Sequence, residues 1–178
     1  MPYTYAEYLA FEEKSDIRHE YSQGEIHRIA ESTTEHSALS ATVLYVIHKQ
    51  LPAGCRGYTC SLRIRIPATG LSTYPDGAFS CAKTKHTAED PDAITNPLIV
   101  FEVTGDNSED YDRGEKLRQY QTIPELKEIL IVSHREPRVS IHRRMDQHRW
   151  TSLEAIAGES VKLESIGGVF QVDDLYRD

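Results

Sequence analysis

The sequence predicts a single α/β domain, and three observations lead to this fold class. The 178-residue chain is long enough to bury one sizeable core, and no repeat, linker or low-complexity tract divides it. After Thr33 and Thr34, apolar residues recur at helical spacing as far as Leu51. Short alternating or continuous apolar runs, such as residues 62–66 and 98–103, are typical of strands. We therefore expect one domain over residues 1–178.

The first part of the chain predicts a helix, a hairpin and a second helix. Thr4 and Glu7 form a capping box, which predicts a helix from residue 5 to about residue 14. Residues 17–31 have the alternation of a hairpin that turns at residues 22–24. The second helix begins at Thr33 or Thr34, and the Pro-Ala-Gly sequence after Leu51 ends it.

The second part of the chain predicts most of the sheet. Strands are predicted at residues 58–61, 62–66, 74–81, 98–104, 128–133 and 138–143, with residues 150–153 as a further partner. A helix is predicted from residue 109 to about residue 121, with Ser108 as its N-cap. Residues 161–178 predict a short strand and a closing turn. No apolar run approaches the roughly 20 residues that a membrane span needs.

Charge and cysteine content limit the classes of function. A net charge of −8 argues against a protein that coats nucleic acid non-specifically, although a local basic patch or a bound metal still permits a nuclease. The three cysteines, Cys55, Cys60 and Cys81, lack metal-site spacing and predict reduced thiols in a cytosolic protein. The N-terminal residues show no basic and apolar regions of a secretory signal. We expect a cytoplasmic protein with no membrane partner.

Two carboxylates mark the candidate site. Asp76 follows Pro75 at the start of a predicted strand, and Glu102 lies inside an apolar run that predicts a fully buried strand. A buried carboxylate is costly to ionise unless a cation compensates for its desolvation. The 26 positions between the two acids leave room for a loop and a neighbouring strand, so we expect them side by side in one sheet. Such a pair is typical of an Mg²⁺ or Mn²⁺ site that hydrolyses phosphodiesters.

Lys116 is the candidate cation of this site. The position two residues after Glu102 is Thr104, and the nearest lysine is Lys116 on the following helix, where it shares a stripe with Arg113 and Tyr120. The alternative interpretations are that Asp76 is a turn residue and that Lys116 is a surface partner of Asp112. The buried charge of Glu102 favours the site.

The same residues resemble the motifs of a known family. Pro75-Asp76, Glu102-Val103-Thr104 and the run from Asp112 to Tyr120 look like successive motifs of the Uma-type family of restriction-endonuclease-like proteins. The opening residues 4–9, the hairpin at residues 20–25 and His36 also fit, so that the resemblance covers nearly the whole chain.

The resemblance implies a PD-(D/E)xK nuclease core, which is a restriction-endonuclease-like mixed β-sheet flanked by α-helices. The family's usual motif lysine is replaced by a small hydroxyl residue, here Thr104, and Lys116 is the natural migrated equivalent. Two departures are present: Ser22-Gln23 in the hairpin turn, and Gly105-Asp106 where the family has Ser and Pro. Neither departure removes a proposed ligand.

Two further residues have open roles. Glu20 is a candidate third carboxylate, a role that an N-terminal acidic residue often has in this superfamily; the alternative is an exposed hairpin charge paired with Arg18 or Arg28. His36 is a weaker candidate for a water or phosphate contact, and a surface histidine near the helix N-terminus is favoured instead.

Residues 134–149, which we call the arginine segment, are the most basic part of an acidic chain. They contain five arginines and two acids and are the best candidate for a nucleic-acid contact, with a solvated hairpin face as the favoured alternative. The residues of this segment are Arg135, Arg138, Arg143, Arg144 and Arg149 against Glu136 and Asp146.

The sequence thus predicts a nuclease that cleaves nucleic acid and uses Mg²⁺ or Mn²⁺. DNA is the first candidate for its substrate. Asp76 and Glu102 are assigned to the metal, Lys116 to water orientation or charge stabilisation, and Glu20 to a supporting catalytic role. The alternative is a domain of the same fold that binds nucleic acid or protein without cleaving it. A small-molecule phosphoesterase is a third hypothesis, and a homodimer stays open.

Overall fold

The computed structural model describes residues 1–29, 32–105 and 112–177. Along the chain the elements are α1 (Tyr5–Glu12), β1 (His19–Ser22), β2 (Glu25–Arg28), α2 (Thr34–His48), β3 (Arg56–Thr59), β4 (Ile64–Ile66), β5 (Leu71–Thr73), β6 (Gly77–Ser80), β7 (Ile99–Val103), a π-helical segment (Asp112–Lys116) that continues as α3 (Leu117–Tyr120), β8 (Glu128–Val132), β9 (Arg138–Arg144), β10 (Trp150–Ile156), β11 (Ser160–Leu163), β12 (Gly168–Gln171) and a 3₁₀ turn (Val172–Leu175).

The main sheet has the strand order β10-β9-β8-β7-β6-β3. Strands β7 and β8 are parallel, and the other neighbours in this sheet are antiparallel. A smaller antiparallel sheet has the order β2-β1-β5-β4. The predicted α/β fold with a mixed sheet and flanking helices is confirmed.

The two faces of the main sheet pack against different layers. One face, with Phe101 and Val103 of β7, packs against α2 and the β11–β12 hairpin. The opposite face, with Val100, packs against α3 and the smaller sheet. Glu102 has the same strand parity as Val100 and therefore lies on the α3 face. The end of β7 is thus where side chains from both layers can meet.

Local signals account for the helix starts. Thr4 Oγ1 accepts a hydrogen bond from the Glu7 N–H, and the Glu7 carboxylate accepts one from the Thr4 N–H, which forms the predicted capping box of α1. Thr33 is the N-cap of α2 and accepts from the His36 N–H at 3.1 Å. The helix predicted at residues 109–121 is described from Asp112 to Tyr120, and its predicted start at Ser108 lies outside the described residues.

One strand was not predicted, and one expectation was wrong. The sequence did not predict β5, a three-residue strand that joins the smaller sheet together. The thiols of Cys55 and Cys81 were expected to be reduced, but they form a disulfide. Arg56 pairs with Ser80 in the β3–β6 ladder, so the next residue outward on each strand brings the two cysteines together. Cys60 is free and exposed.

A search of the described residues finds no helix that is long and apolar enough to cross a membrane.

Candidate active site

Asp76 and Glu102 meet at the end of the β6–β7 ladder. Gly77 pairs with Phe101, and continuation of this register places Asp76 opposite Glu102. The Asp76 N–H donates to Glu102 Oε2 at 3.3 Å. The Asp76 carboxylate lies at the end of β7, where its Oδ2 accepts the Val103 N–H at 2.8 Å. Two acids from distant parts of the chain thus share one strand end.

Gly77 permits this close approach of β6 to β7. A Cβ atom on Gly77 would lie 2.2 Å from the Phe101 ring, which is far inside contact distance. Because Phe101 is itself fully buried, its ring has little room to move aside. The glycine therefore allows Asp76, its neighbour, to sit directly beside Glu102.

Lys116 connects the carboxylates from the α3 side. Its Nζ lies 2.8 Å from Glu102 Oε1 and 3.2 Å from Glu20 Oε1. The Lys116 residue is only 6% exposed, so its expected surface position in the alternative is wrong, while the side chain of Asp112 lies outside the described part of the chain. Glu20, on β1, also accepts a hydrogen bond from the Thr73 hydroxyl, and its side chain is 12% exposed. The alternative of an exposed hairpin charge is therefore wrong as well. Glu20, Asp76, Glu102 and Lys116 form what we call the active-site cluster.

Tyr120 is a site residue to which the sequence analysis assigned no role. Its hydroxyl donates to Glu102 Oε1 at 2.7 Å, one helical turn after Lys116. Burial and the neighbouring Glu102 carboxylate raise the pKa of the Tyr120 hydroxyl well above its ordinary value, so it stays a donor. The stripe shared by Lys116 and Tyr120 was visible in the sequence and is the signal that points to this role.

His36 reaches the same strand end from α2, on the other face of the sheet. Its Nε2 lies 2.9 Å from the Val103 carbonyl oxygen and 3.2 Å from Asp76 Oδ2. The hydrogen bond to the Asp76 carboxylate raises the pKa of His36 above its ordinary value, against the effect of burial. With a side chain only 16% exposed, His36 is not the surface histidine that was favoured.

Thr104 occupies the position of the missing motif lysine and binds another histidine. Its Oγ1 lies 3.0 Å from His134 Nδ1 and accepts the His134 N–H at 3.3 Å. Since β7 and β8 are parallel, their carboxyl ends coincide, and this places His134 beside the end of β7. The sequence analysis did not single out His134.

The donor set of this site suits a cation that keeps most of its water. Among the residues that the structure describes, no group of three or more His, Cys, Asp or Glu side chains is arranged to hold a metal ion. The site instead offers two adjacent carboxylates, Asp76 and Glu102. Mg²⁺ is commonly bound through one or two carboxylates together with waters and substrate phosphates, so these residues fit it.

The charge of the arginine segment suggests a nucleic-acid contact, but its arginines make contacts within the protein. Arg143 lies 3.1 Å from Glu128 and 2.9 Å from Glu164, and Arg149 lies 2.5 Å from Asp146. Arg144 donates to four backbone carbonyl oxygens and lies over the Trp150 ring, 4.5 Å from its centroid. Arg143 and Arg144 hold the scaffold together, a role that is neither a nucleic-acid contact nor the solvated hairpin face set against it, whereas Arg149, with a side chain 80% exposed, agrees with a solvated face.

Comparison with known proteins gives consistent matches over almost the whole chain. Residues 5–173 match the family Uma2, described as "Putative restriction endonuclease". Two proteins of Synechocystis sp. are similar in sequence. "Uncharacterized protein slr1290" is 33% identical, and the match covers 96% of this chain and 90% of the relative. "Uncharacterized protein sll1609" is 30% identical, and the match covers 90% of this chain and 91% of the relative.

A solved structure has the same fold. It is described as a "putative nuclease belonging to DUF820" from Anabaena variabilis and superimposes with a TM-score of 0.74 over 96% of both chains. At 16% sequence identity this likeness concerns the fold alone. The restriction-endonuclease-like architecture implied by the sequence motifs is thereby confirmed.

Proposed function

The chain belongs to the Uma2 family of restriction-endonuclease-like proteins, and from this premise we propose that it is a nuclease that hydrolyses nucleic-acid phosphodiesters with Mg²⁺ or Mn²⁺. The proposal depends above all on one observation. Glu102, which is 4% exposed, is held between Lys116 and Tyr120 on one oxygen and faces the backbone of Asp76 with the other. Unlike the buried Glu128 of β8, Glu102 lies beside a second carboxylate, that of Asp76, at the end of its strand.

The carboxylates have distinct tasks in this proposal. Glu102 Oε1 is engaged by Lys116 and Tyr120, which fixes the plane of the carboxylate and directs Oε2 towards Asp76. Asp76 would hold the cation together with Glu102. When bound, the cation supplies a Lewis acid that polarises a phosphoryl oxygen and makes water a stronger acid.

Lys116 supplies the positive charge of the protein itself. Its ammonium is buried against Glu102 and Glu20, and these two carboxylates orient it. From this position it would orient the attacking water or stabilise the negative charge that develops on the phosphoryl group. Glu20 is on this view a supporting residue that positions Lys116, with the Thr73 hydroxyl fixing Glu20 in turn.

A second function, binding without cleavage, is favoured by a different observation. The net charge is −8, and the arginines at 138, 143, 144 and 149 are engaged in internal contacts. A protein with this charge has little general affinity for phosphate backbones. Binding to a partner protein through the same fold would agree with that property, and a cleavage assay separates the two functions.

The experiment compares purified wild type with Asp76→Asn on supercoiled plasmid, linear duplex DNA, single-stranded DNA and RNA, each with Mg²⁺, Mn²⁺ or EDTA. We expect cleavage of at least one substrate with metal, and a loss of about a hundredfold or more in the variant. Asp92→Asn, which removes a charge from an exposed turn, is the matched control and should cleave as wild type. Equal cleavage by wild type and Asp76→Asn, or none with any substrate, would contradict the proposal.

A further inference from the structure

We propose that His36 is a positioning residue that determines which oxygen of Asp76 is offered to a divalent cation. This inference rests on the proposed function, and its test can show that the role of His36 is wrong while the proposed function stands.

The contacts define the tautomer of His36. Its Nε2 lies within hydrogen-bond distance of two oxygens, the Val103 carbonyl at 2.9 Å and Asp76 Oδ2 at 3.2 Å. A carbonyl and an ionised carboxylate only accept hydrogen bonds, so Nε2 must carry the proton. His36 therefore acts here as a donor that draws the carboxylate of Asp76 and the end of β7 together.

The two carboxylate oxygens of Asp76 have different roles in this proposal. Oδ2 accepts the Val103 N–H at 2.8 Å and lies 3.2 Å from His36 Nε2, so two donors converge on this one oxygen. Among the residues that the structure describes, both contacts of this carboxylate go through Oδ2. Oδ1 is then the oxygen that is available for a cation. Metal-binding carboxylates are usually held by such hydrogen bonds, which fix their orientation.

The far side of the imidazole argues against a purely structural role. His36 Nδ1 and Ser40 Oγ are buried, and neither has a hydrogen-bond partner within the described ranges. The two residues are one helical turn apart on the face of α2 that packs against the sheet. An unpaired buried polar atom costs stability that an apolar residue at this position would not. The histidine is therefore better explained by what its Nε2 does than by packing.

The test measures Mn²⁺ affinity by the metal-dependent change in melting temperature and by electron paramagnetic resonance of free Mn²⁺, with no nucleic acid present. His36→Ala should bind Mn²⁺ about 10- to 100-fold more weakly than wild type, which is the usual effect of losing such a contact. His36→Gln places an amide N–H near the position of Nε2 and should recover most of the affinity. His36→Asn places its amide nearer to Nδ1 and should not.

Ser40→Ala is the matched control, because it changes the same helix face without touching Asp76. It should bind Mn²⁺ within about twofold of wild type. If wild type binds Mn²⁺ but His36→Ala binds it equally well, the role of His36 is wrong and the proposed function stands. If wild type itself does not bind Mn²⁺, both are wrong. Should His36→Ala not fold, equal affinities of the Gln and Asn variants would overturn the inference.

Discussion

The active-site cluster and the arginine segment both concentrate charge, but they use it in opposite ways. In the arginine segment the ion pairs join parts of the scaffold to one another: Arg143 to Glu128 across the β8–β9 ladder and to Glu164 after β11, and Arg149 to Asp146 three residues away. In the active-site cluster, side chains from β1, β7 and the helical segment meet at Lys116, and Asp76 adds its carboxylate from the end of β6.

The difference teaches that the number of charges alone does not distinguish a candidate site from a structural support. Arg143 secures Glu128, which is fully buried and also accepts hydrogen bonds from the backbone of Glu164 and Ser165. That arrangement attaches the C-terminal hairpin to the sheet. Asp76 and Glu102 of the active-site cluster instead meet at the carboxyl end of β7, beside a parallel strand, where ligands of α/β sheets commonly bind.

The first prediction tests the supporting role of Arg143. Arg143→Ala leaves the buried carboxylate of Glu128 without its cation, so the free energy of unfolding should fall by about 3–5 kcal/mol. For a domain of this size the melting temperature should fall by roughly 10 °C. Urea unfolding and thermal melting measure the effect.

Glu164→Ala is the control for this prediction, because it removes the exposed partner of the same arginine and should change the melting temperature little. A stable Arg143→Ala variant that bound nucleic acid less tightly would show that the arginine segment is an interface after all.

The second prediction concerns Lys116. Lys116→Ala removes the ammonium that lies between Glu102 and Glu20, and cleavage should fall by about 100- to 1,000-fold. The metal-dependent rise in melting temperature should persist, because the lysine itself is not a ligand. Single-turnover cleavage and thermal melting give the two readouts.

Lys85→Ala is the matched lysine control: Lys85 pairs with Glu125 on the surface, 2.6 Å away, and its loss should leave cleavage unchanged. Wild-type cleavage by Lys116→Ala would mean that the buried lysine only neutralises two acids.

The third prediction compares the two buried glutamates, Glu102 and Glu128. A cation that binds only the folded protein stabilises it by about 2.7 kcal/mol at one hundred times Kd. Mn²⁺ should therefore raise the melting temperature of wild type by roughly 5–10 °C. Glu102→Gln should lose this response, whereas Glu128→Gln should melt lower than wild type and keep it. An identical metal response in both variants would remove Glu102 from the site.

The sequence predicted the active-site cluster better than the arginine segment, and strand register explains why. Asp76 and Glu102 could be paired because each has a strong local signal: a Pro-Asp turn before a strand, and an acid in an apolar run. Lys116 followed from the helix after β7. His36 could not be paired with Asp76, since that contact depends on how α2 packs on the sheet, which no local pattern of residues determines.

The missed contacts of the scaffold depend on register in the same way. Glu128 and Arg143 lie opposite each other in the β8–β9 ladder, and Cys55 and Cys81 extend the ladder of β3 and β6. The first pair follows from the symmetry of a hairpin once its turn is placed. The second pair joins strands separated by two others in the chain, so the sequence gives no local signal for it. The three-residue strand β5 is too short to show an alternation.

The smallest effect is expected at the exposed end of the arginine segment. Arg149 pairs with Asp146, three residues earlier, and its side chain is 80% exposed. Ion pairs this exposed add little to stability, so Arg149→Ala should melt within about 1 °C of wild type. If Arg149 only closes its own turn, the salt dependence of any nucleic-acid affinity should also be unchanged, as measured by fluorescence anisotropy at several KCl concentrations.

A phosphate contact would instead lower the slope of log affinity against log salt by about one unit in Arg149→Ala, since one counterion fewer is released. Asp146→Asn is the control, because it breaks the same pair and keeps the arginine. A lower slope in Arg149→Ala with a normal slope in Asp146→Asn would assign this arginine to nucleic-acid binding and overturn the contrast between the two regions.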